Sequence, residues 1–382
     1  MRLLFITQDF PPETGGIQTY SYELSKRLAI HSDYFCVLAP KTTGSEKFDQ
    51  KLAFNIRRFK ISNTLLFIVL LFRLPTIIKK NNIEMVYHAQ WQTLLPSIWA
   101  KKRGLINKIA VGAHARELLF NPLGNGWVGS LYKKYQLALM KHVDVWYPVS
   151  DYTAGLLQND GVGEENIEVL INGTNPEQYY PKDASDFKNK AGLSEKRVIL
   201  TVTRLVGRKG VDLVIKAMPE VLKEVPNAFY LIVGDGPDKE QLQKQITESG
   251  LDMNVKLVGR VEYESLIDYY NIADVFVMPS KTELPDVEGF GIVFLEANAC
   301  SKPVIGSNSG GIPSAIKHGY NGLIVNENDI EGLTKAIIEI LKNDQLATEL
   351  GENGLEFVRE KANWEHIAKK LHQDLKTRLT NK

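Results

Sequence analysis

Cysteine is scarce in this chain of 382 residues, which contains only Cys36 and Cys300. The two lie far apart, each in an apolar segment, so the sequence predicts buried thiols in a reducing compartment and no disulfide. A signal peptide is also not evident, because the apolar start MRLLFITQDF is short and soon interrupted. We therefore expect a cytoplasmic protein whose first residues form a buried strand.

Long apolar runs are missing as well. The longest is LLFIVLLF, residues 65–72, which follows the basic segment RRFK and precedes Arg73. Eight residues cannot cross a bilayer, which needs about 20. Two interpretations stay open: a helix buried in the core, or a helix that lies in the interface of a membrane.

Neither sign of charge is in excess, since 46 Lys and Arg face 45 Asp and Glu. The net charge of +1 gives no case for a nucleic-acid partner. The distribution is uneven, however: residues 1–175 hold 20 basic against 14 acidic side chains, and the remainder is net acidic. This asymmetry favours a first half that contacts something anionic, such as the inner face of a membrane, although a dispersed solvated surface would look the same.

Short apolar runs alternate with longer amphipathic ones along the whole chain, and its length predicts two domains. Such alternation is typical of an α/β fold with parallel sheets covered on both faces. The predicted strands are 2–7, 34–39, 54–59, 84–88, 108–114 and 144–149 in the first half, and 197–203, 229–234, 254–259, 274–279, 302–306 and 322–326 in the second.

The alternation pauses at the polar stretch 171–196, which is the best domain boundary. We expect an acceptor-side domain over 1–175, a second domain over 176–362 and a terminal helix over 363–380 that packs back on the first. Both domains would be Rossmann-like, and their parallel sheets would face each other across a deep cleft. Ligands of such sheets bind at the carboxyl ends of the strands.

A glycine pair follows the first predicted strand, in PPETGGIQTY. Gly15 and Gly16 would bring bare backbone close to a ligand, and the N–H groups of the next helix would suit a phosphate. A tight strand-to-helix turn explains the pair equally well. The spacing fits neither G-x-G-x-x-G nor a P-loop, so nicotinamide cofactors and nucleotide hydrolysis lose support and no cofactor is expected.

Two further strand ends carry candidate side chains. The segment TVTRLVGRKGVD has Arg204 and Lys209, with Arg208 between them, and these cations suit phosphate oxygens. A solvated basic loop is the alternative. The segment VGAHARE leaves His114 at a strand end, where a neutral imidazole can donate or accept near a reacting centre, unless it is merely structural.

The segment DVEGFGIVFLEA places Glu288 and Glu296 eight positions apart, with a predicted helix that begins near Gly291. The N–H groups of residues 289–293, from Gly289 and Phe290 onward, would receive a diphosphate between the two carboxylates. Glu296 would then bind ribose, and Glu288 an attached sugar. The alternative is one carboxylate that complements the helix dipole and one exposed helical glutamate.

The same segment contains D-x-E, a conceivable metal pair of Asp286 and Glu288. No histidine or further acidic cluster accompanies it, so no metal site is expected. Phosphate-facing loops, helix N-termini and hydroxyl-binding side chains together fit a nucleoside diphosphate with a sugar attached.

The motifs GGIQTY, TVTRLVGRKG, LIVGDGP, ADVFVMPS and EGFGIVFLEA resemble, in content and order, the retaining glycosyltransferases of family 4, which have the GT-B fold. The resemblance covers essentially the whole chain. The run DVEGFGIVFLEA, followed by SGGIPSAI, is particularly similar to the phosphatidylinositol mannoside mannosyltransferases, which use GDP-mannose. The hinge reads ING where PNG is common in the family.

The resemblance implies a role for each matching position. Gly15 and Gly16 would face the donor diphosphate, Arg204 and Lys209 would neutralise it, and His114 would contact the sugar. The base would meet Val261, the transferred sugar Glu288 and the ribose Glu296, while Ile292 and Val293 would offer backbone near the phosphates.

The implied enzyme is a metal-independent, retaining hexosyltransferase with a GDP- or UDP-hexose donor and a glycan or lipid-linked acceptor. Two alternatives remain. One is a sugar-nucleotide epimerase or a glycogen-type synthase on the same fold, and the other is a non-catalytic nucleotide-binding scaffold.

Overall fold

The computed structural model describes residues 1–124 and 126–380. The chain forms two compact units, Met1–Asn172 with Trp364–Lys382, and Gly173–Asn363. The division therefore falls inside the polar stretch 171–196. Each unit is built on one six-stranded parallel sheet with helices on its faces, so the predicted α/β class with two Rossmann-like units is confirmed.

All twelve predicted strands are present, with ends that differ from the predictions by at most two residues. The first unit contains β1 Arg2–Ile6, β2 Tyr34–Pro40, β3 Asn55–Phe59, β4 Met85–His88, β5 Lys108–Ala113 and β6 Val145–Pro148, in the order β3-β2-β1-β4-β5-β6. The second contains β7 Arg197–Val202, β8 Ala228–Val233, β9 Val255–Gly259, β10 Val275–Met278, β11 Val304–Ser307 and β12 Gly322–Val325, in the order β12-β11-β10-β7-β8-β9.

The helices separate these strands in sequence, as the amphipathic segments predict. Those of the first unit are α1 Gly16–His31, α2 Ser45–Asp49, α3 Leu66–Asn81, α4 Leu94–Lys102, α5 Arg116–Leu119, α6 Trp127–Met140, α7 Asp151–Asn159 and, at the end of the chain, α16 Trp364–Thr380. Those of the second unit are α8 Ser185–Lys190, α9 Val211–Glu224, α10 Lys239–Glu248, α11 Leu266–Ile272, α12 Ile292–Ala299, α13 Ile312–Ala315, α14 Ile330–Lys342 and α15 Asp344–Glu360.

The first sheet has a different helix layer on each face. On one face α3, α4 and α6 share a single apolar cluster with the strands. On the other face α16 packs against α1, with Trp364 edge-on to Tyr20 at 6.1 Å between ring centroids. The hydroxyl of Tyr147, in β6, donates to Asp374 at 2.5 Å and ties the last helix to the sheet.

The apolar run 65–72 is helical, and one side of α3 packs in the core, as the interpretation of a buried helix expects, while its other side is exposed. Leu66, Leu70 and Leu74 of α3 are buried, whereas Ile68 is 39% exposed and Phe72 78% exposed. A helix that packs on one sheet buries only a stripe of its surface, so the remaining apolar residues of the run face outward. Within residues 1–124 and 126–380, no helix is both long and apolar enough to span a membrane.

The second sheet encloses its own core, in which α9 and α14 pack side by side over β7, β8 and β10. Neighbouring strands run parallel in both sheets, so the carboxyl ends of each sheet's strands lie along one edge. The loops singled out in the sequence follow β1 and β5 in the first unit, and β7, β9 and β10 in the second. Each unit thus gathers its candidates on its carboxyl edge. Both cysteines are buried free thiols, as predicted.

Candidate functional site

In the first unit, helix α1 begins within the glycine pair that follows β1. Gly15 is its N-cap residue and Gly16 its first residue, both are exposed, and no side chain caps the helix. A Cβ atom added at Gly16 would meet nothing within 4 Å. The unpaired N–H groups and the positive end of the helix dipole are therefore open to an anionic ligand.

His114 lies just beyond β5, with its ring held in place. Its Nε2 lies 3.0 Å from the carbonyl oxygen of Ala89, and the ring of Tyr20 packs edge-on against it at 4.6 Å. Burial lowers the pKa of His114 to about 4, so the imidazole is neutral near pH 7. Because a carbonyl only accepts, Nε2 carries the proton and Nδ1 is an acceptor. A neutral imidazole is the form that the candidate role of His114 requires.

Two glutamines converge on Asp9, which follows β1. Gln18 of α1 donates to one carboxylate oxygen of Asp9 at 3.2 Å, and Gln90, after β4, donates to the other at 2.6 Å. The side-chain oxygen of Gln90 is buried and has no hydrogen-bond partner among the described residues. These three polar side chains lie at the same sheet edge as His114, and the sequence analysis missed them.

In the second unit, Glu288 is the centre of a largely buried ion cluster. Its Oε2 accepts from the Lys209 ammonium in a short contact and from Arg208 Nη1 at 3.0 Å. The side chains of Lys209 and Glu288 are only 12% and 13% exposed. Burial alone raises the pKa of Glu288, but the Lys209 ammonium and the Arg208 guanidinium outweigh burial and hold it below its ordinary value.

This cluster excludes a solvated basic loop for Lys209 and adds Arg208 to the candidate site. Lys209 does not belong to a solvated basic loop, because it is buried against a carboxylate; Arg204 is exposed, as that alternative expects. The sequence analysis noted Arg208 only as the residue between two candidates. The sequence indicated Arg208 only through its position one residue before Lys209. In the structure, Arg208 and Lys209 donate to the same carboxylate oxygen of Glu288, so Arg208 is part of the site.

Glycines let the surrounding backbone come close to this cluster. Gly210 ends the turn that carries Lys209 at φ +71°, and a Cβ there would lie 2.0 Å from the carbonyl oxygen of Pro279. Gly310 has φ +50°, and its Cβ would lie 2.4 Å from the carbonyl oxygen of Glu288. Any side chain would displace the loop in both places.

Helix α12 begins at Ile292, one residue from the predicted start, with Gly291 as N-cap at φ +91° and no side-chain cap. Ile292 and Val293 are partly exposed, whereas Phe290 is buried. Glu288 therefore precedes an uncapped helix start, as predicted. The free N–H groups of this first turn form an electropositive end beside Lys209 and Arg208.

Glu296 lies inside α12 and is only 7% exposed, so the alternative of an exposed helical glutamate is wrong. The hydroxyl of Tyr270, from α11, donates to its Oε2 at 2.6 Å. Burial raises the pKa of Glu296 to about 7 against the lowering effect of this bond. The tyrosine is 26 positions away in sequence, and no local signal could have identified it.

The remaining predictions concern Val261 and metals. Val261 lies partly exposed just beyond β9, on the same edge of the sheet. Over the described ranges no group of three or more His, Cys, Asp and Glu is gathered as for a metal ion. Glu288, one of the two carboxylates of the D-x-E pair, is held by two cations.

Comparison with known proteins gives the chain a family. Residues 14–178 match the model for Glycosyltransferase Family 4, and residues 183–357 match the model for Glycosyl transferases group 1. Two curated relatives match this chain over nearly its whole length and over nearly the whole of their own. The GDP-mannose-dependent alpha-(1-6)-phosphatidylinositol monomannoside mannosyltransferase of Mycolicibacterium smegmatis is 31% identical over 374 residues, 95% of each chain. A related enzyme of Corynebacterium glutamicum, named for a monoacylated acceptor, is 31% identical over 97% of this chain and 96% of its own.

Solved structures agree on the fold. HepE from Anabaena, in complex with UDP, matches with a TM-score of 0.82 at 19% identity, over 99% of this chain and 100% of that one. Sucrose-phosphate synthase from Thermosynechococcus elongatus matches with a TM-score of 0.80 at 21% identity over 100% of both chains. The predicted GT-B fold is thereby confirmed, and the family models and curated relatives confirm the interpretation as a glycosyltransferase. The chain belongs to the family 4 glycosyltransferases.

Proposed function

We propose that this glycosyltransferase moves mannose from GDP-mannose to a hydroxyl group of a lipid-linked or glycan acceptor, with retention of configuration and without a metal ion. The observation that carries the proposal is the largely buried cluster of Lys209, Arg208 and Glu288 at the uncapped start of α12. Fixed cations next to free N–H groups are what a departing diphosphate needs. The choice of donor is supported by the names of the two curated relatives.

Each residue of the second unit takes a definite part in this proposal. Lys209 and the exposed Arg204 receive the diphosphate, together with the N–H groups of Ile292 and Val293. Glu288 accepts from hydroxyls of the transferred hexose, and Arg208 and Lys209 keep its carboxylate ionised for that purpose. Glu296, oriented by the Tyr270 hydroxyl, accepts from the ribose hydroxyls. The base lies against the backbone at Val261.

The first unit supplies the contacts around the reacting carbon. The N–H groups at Gly15 and Gly16 face the diphosphate, and His114 meets the hexose with Nδ1 as an acceptor. As the glycosidic bond to phosphate breaks, positive charge develops on the sugar and negative charge on the leaving oxygen. Preorganised cations and N–H groups stabilise that negative charge without reorganising. The acceptor hydroxyl then attacks from the face that the phosphate leaves, and the phosphate takes its proton.

An apolar and basic surface of the first unit supports the proposal of a lipid-linked acceptor. Of the fifteen large apolar side chains exposed in the described residues, nine lie between positions 65 and 135. Among them are Ile68 and Phe72 of α3, and Trp127 and Leu131 of α6, two helices on the same face of the sheet.

The positive charge of the same part of the chain also supports this proposal. Residues 61–143 hold 11 Lys and Arg against two acidic residues, Glu84 and Glu117. Exposed aromatic and aliphatic side chains with surrounding cations suit an anionic membrane surface. We take peripheral contact with such a membrane as part of the proposed function, because it would bring a lipid-linked acceptor to the enzyme.

A screen of GDP-, UDP- and ADP-hexoses tests the donor. GDP-mannose should raise the melting temperature more than the others, because a ligand that binds only the folded state stabilises it by mass action. With radiolabelled donor and a lipid extract as acceptor, the label should move into the lipid phase, and added EDTA should not prevent it. Label recovered in another nucleotide sugar without any acceptor would indicate an epimerase, and an equal thermal shift with every donor would refute the choice of GDP-mannose.

A further inference from the structure

A buried carboxylate in the first unit has no part in the proposed transfer. Glu117, in α5, is 7% exposed, and its Oε1 accepts the backbone N–H of His114 at 2.5 Å. Its Oε2 is buried and has no hydrogen-bond partner among the described residues. An ionised carboxylate rarely sits in such a place unless a partner or a function requires it.

The backbone that Glu117 holds is strained. Ala115 has φ +76° and ψ −63°, and Arg116 N–H donates to the His114 carbonyl oxygen at 3.2 Å. These values define a γ-turn of the rare kind, which an alanine adopts only when its surroundings force it. The Glu117 carboxylate bonds the residue at the start of this turn, so it is one of the groups that hold the turn in place.

The imidazole of His114 depends on the same turn. Its Nε2 is tied to Ala89, and its backbone N–H is tied to Glu117. The main chain of Glu117 is in turn fixed by Trp91, whose Nε1 donates to the Glu117 carbonyl oxygen at 2.8 Å. Loss of the carboxylate would free the His114 backbone while leaving the surrounding apolar contacts in place.

We infer that Glu117 is a positioning residue for His114: its carboxylate fixes the strained turn and so keeps Nδ1 of the imidazole aimed at a sugar hydroxyl. This role rests on the proposed function, in which His114 meets the transferred hexose. An ionised acceptor makes a stronger bond to an N–H group than a neutral one, so His114 is held best when Glu117 is ionised.

The pKa of Glu117 lies within the range that a pH titration can cover. Burial raises its pKa to about 7, with the backbone bond from His114 and the charge of Arg116 acting against the shift and the charge of Asp9 adding to it. Tyr20, which also faces this carboxylate, has its pKa raised by burial and stays neutral near pH 7. Burial lowers the pKa of His114 itself to about 4. A transition near pH 7 at His114 therefore reports on Glu117.

The first experiment needs no substrate. Protein labelled with ¹⁵N only in its seven histidines gives few amide signals, and His114→Asn identifies that of residue 114. We expect this signal to shift with pH with a midpoint near 7 in the wild type and not in Glu117→Gln. Asp9→Asn should keep the transition but lower its midpoint, because a negative charge near Glu117 is removed. A flat signal in the wild type, or an unchanged transition in Glu117→Gln, would refute the inference.

The second experiment uses the transfer reaction. Glu117→Ala should lower kcat at least about tenfold with little change in donor KM, since the bond to the His114 backbone is lost. Glu117→Gln, whose amide oxygen still accepts, should recover part of kcat but lose the rise in kcat between pH 6 and 8. Asn121→Ala, in the loop after α5, removes a bond to the Gly129 carbonyl of α6; it is the structural control and should keep that rise.

The two experiments separate this inference from the proposed function. A coupled titration in a protein that transfers nothing would leave the link between Glu117 and His114 standing and refute the proposed transfer. An active enzyme whose pH profile is the same in Glu117→Gln would refute the inference alone.

Discussion

The ammonium of Lys209 and the carboxylate of Glu288 form an ion pair although 79 positions separate them in sequence. Lys209 lies in the turn after β7 and Glu288 precedes α12, so the sheet brings them together. Burying two charges is costly unless each has a partner and hydrogen bonds. Here Arg208 adds a second cation to the same carboxylate, which leaves a net positive cluster where the diphosphate is proposed to bind.

We therefore expect Lys209→Ala and Glu288→Gln each to lower kcat for transfer by about 10²- to 10³-fold, the usual effect of losing one preorganised group that stabilises developing charge. Circular dichroism should show both variants folded. Lys335→Ala breaks an exposed ion pair with Glu331 in the same unit and is the matched control, with activity close to wild type. Full activity in a Lys209→Ala, Glu288→Gln double variant would refute the site.

Glu296 and Tyr270 should affect donor binding more than turnover. Glu296→Ala removes a carboxylate that is proposed to bind ribose, and a hydrogen bond to a charged group contributes about 1.5–3 kcal/mol, or roughly 10- to 100-fold in Kd. Tyr270→Phe only frees the carboxylate to rotate, so its effect should be smaller. Calorimetry with GDP and GDP-mannose measures both. An unchanged Kd for Glu296→Ala would exclude the ribose contact.

Local patterns predicted most of the fold. Apolar runs bounded by polar segments marked all twelve strands, because a strand buried on both faces is apolar along its length. Glycine loops marked the starts of α1 and α12, where the backbone itself is the candidate ligand. These features depend on residues that are neighbours in sequence, so local sequence patterns predict them.

The missed contacts join distant segments. Gln90 reaches Asp9 across 81 positions, and Tyr270 reaches Glu296 across 26. The sequence does not indicate which residue a tyrosine in an amphipathic helix, or a glutamine after a strand, will contact. The exposed side of α3 was missed for a related reason: a continuous apolar run does not say which stripe faces the sheet.

The contribution of Glu117 and Glu296 to stability should fall as pH rises between about 4.5 and 7, whereas that of His114, whose pKa burial lowers, should rise. Burial raises the folded-state pKa of Glu117 and Glu296 to about 7, above the ordinary value of 4.5. At these two groups the folded protein therefore binds more protons than the unfolded chain in this range, and each group disfavours the folded state by up to about 3 kcal/mol once the pH exceeds 7. Denaturant midpoints at pH 5 and 7.5 measure the effect. Relative to the wild type, Glu296→Gln should be more stable at pH 7.5 than at pH 5, and an equal difference between the two proteins at both pH values would contradict the assignment.

Membrane contact should depend on the apolar side chains of α3 and α6. Phe72→Ser with Trp127→Ser removes two large exposed groups and should weaken binding to vesicles of anionic phospholipid by at least about tenfold. Flotation at low and high salt measures it, and salt should weaken binding further by screening the basic surface. Met253→Ser, at an apolar side chain of the second unit that is 83% exposed, is the control. Equal flotation of all three proteins would remove the proposed contact.

The terminal helix should be needed for the stability of the first unit. Trp364 is 1% exposed, contacts Tyr20 of α1 and begins the helix whose Asp374 accepts from Tyr147. Trp364→Ala leaves a cavity and should cost about 3–5 kcal/mol of folding free energy, the range for a buried large aromatic. Trp127→Ala is the matched control, because that tryptophan is 77% exposed and its loss leaves no cavity. Thermal unfolding should therefore shift to clearly lower temperature in Trp364→Ala and stay near the wild-type value in Trp127→Ala. Equal unfolding temperatures in the two variants would show that α16 contributes little to the first unit.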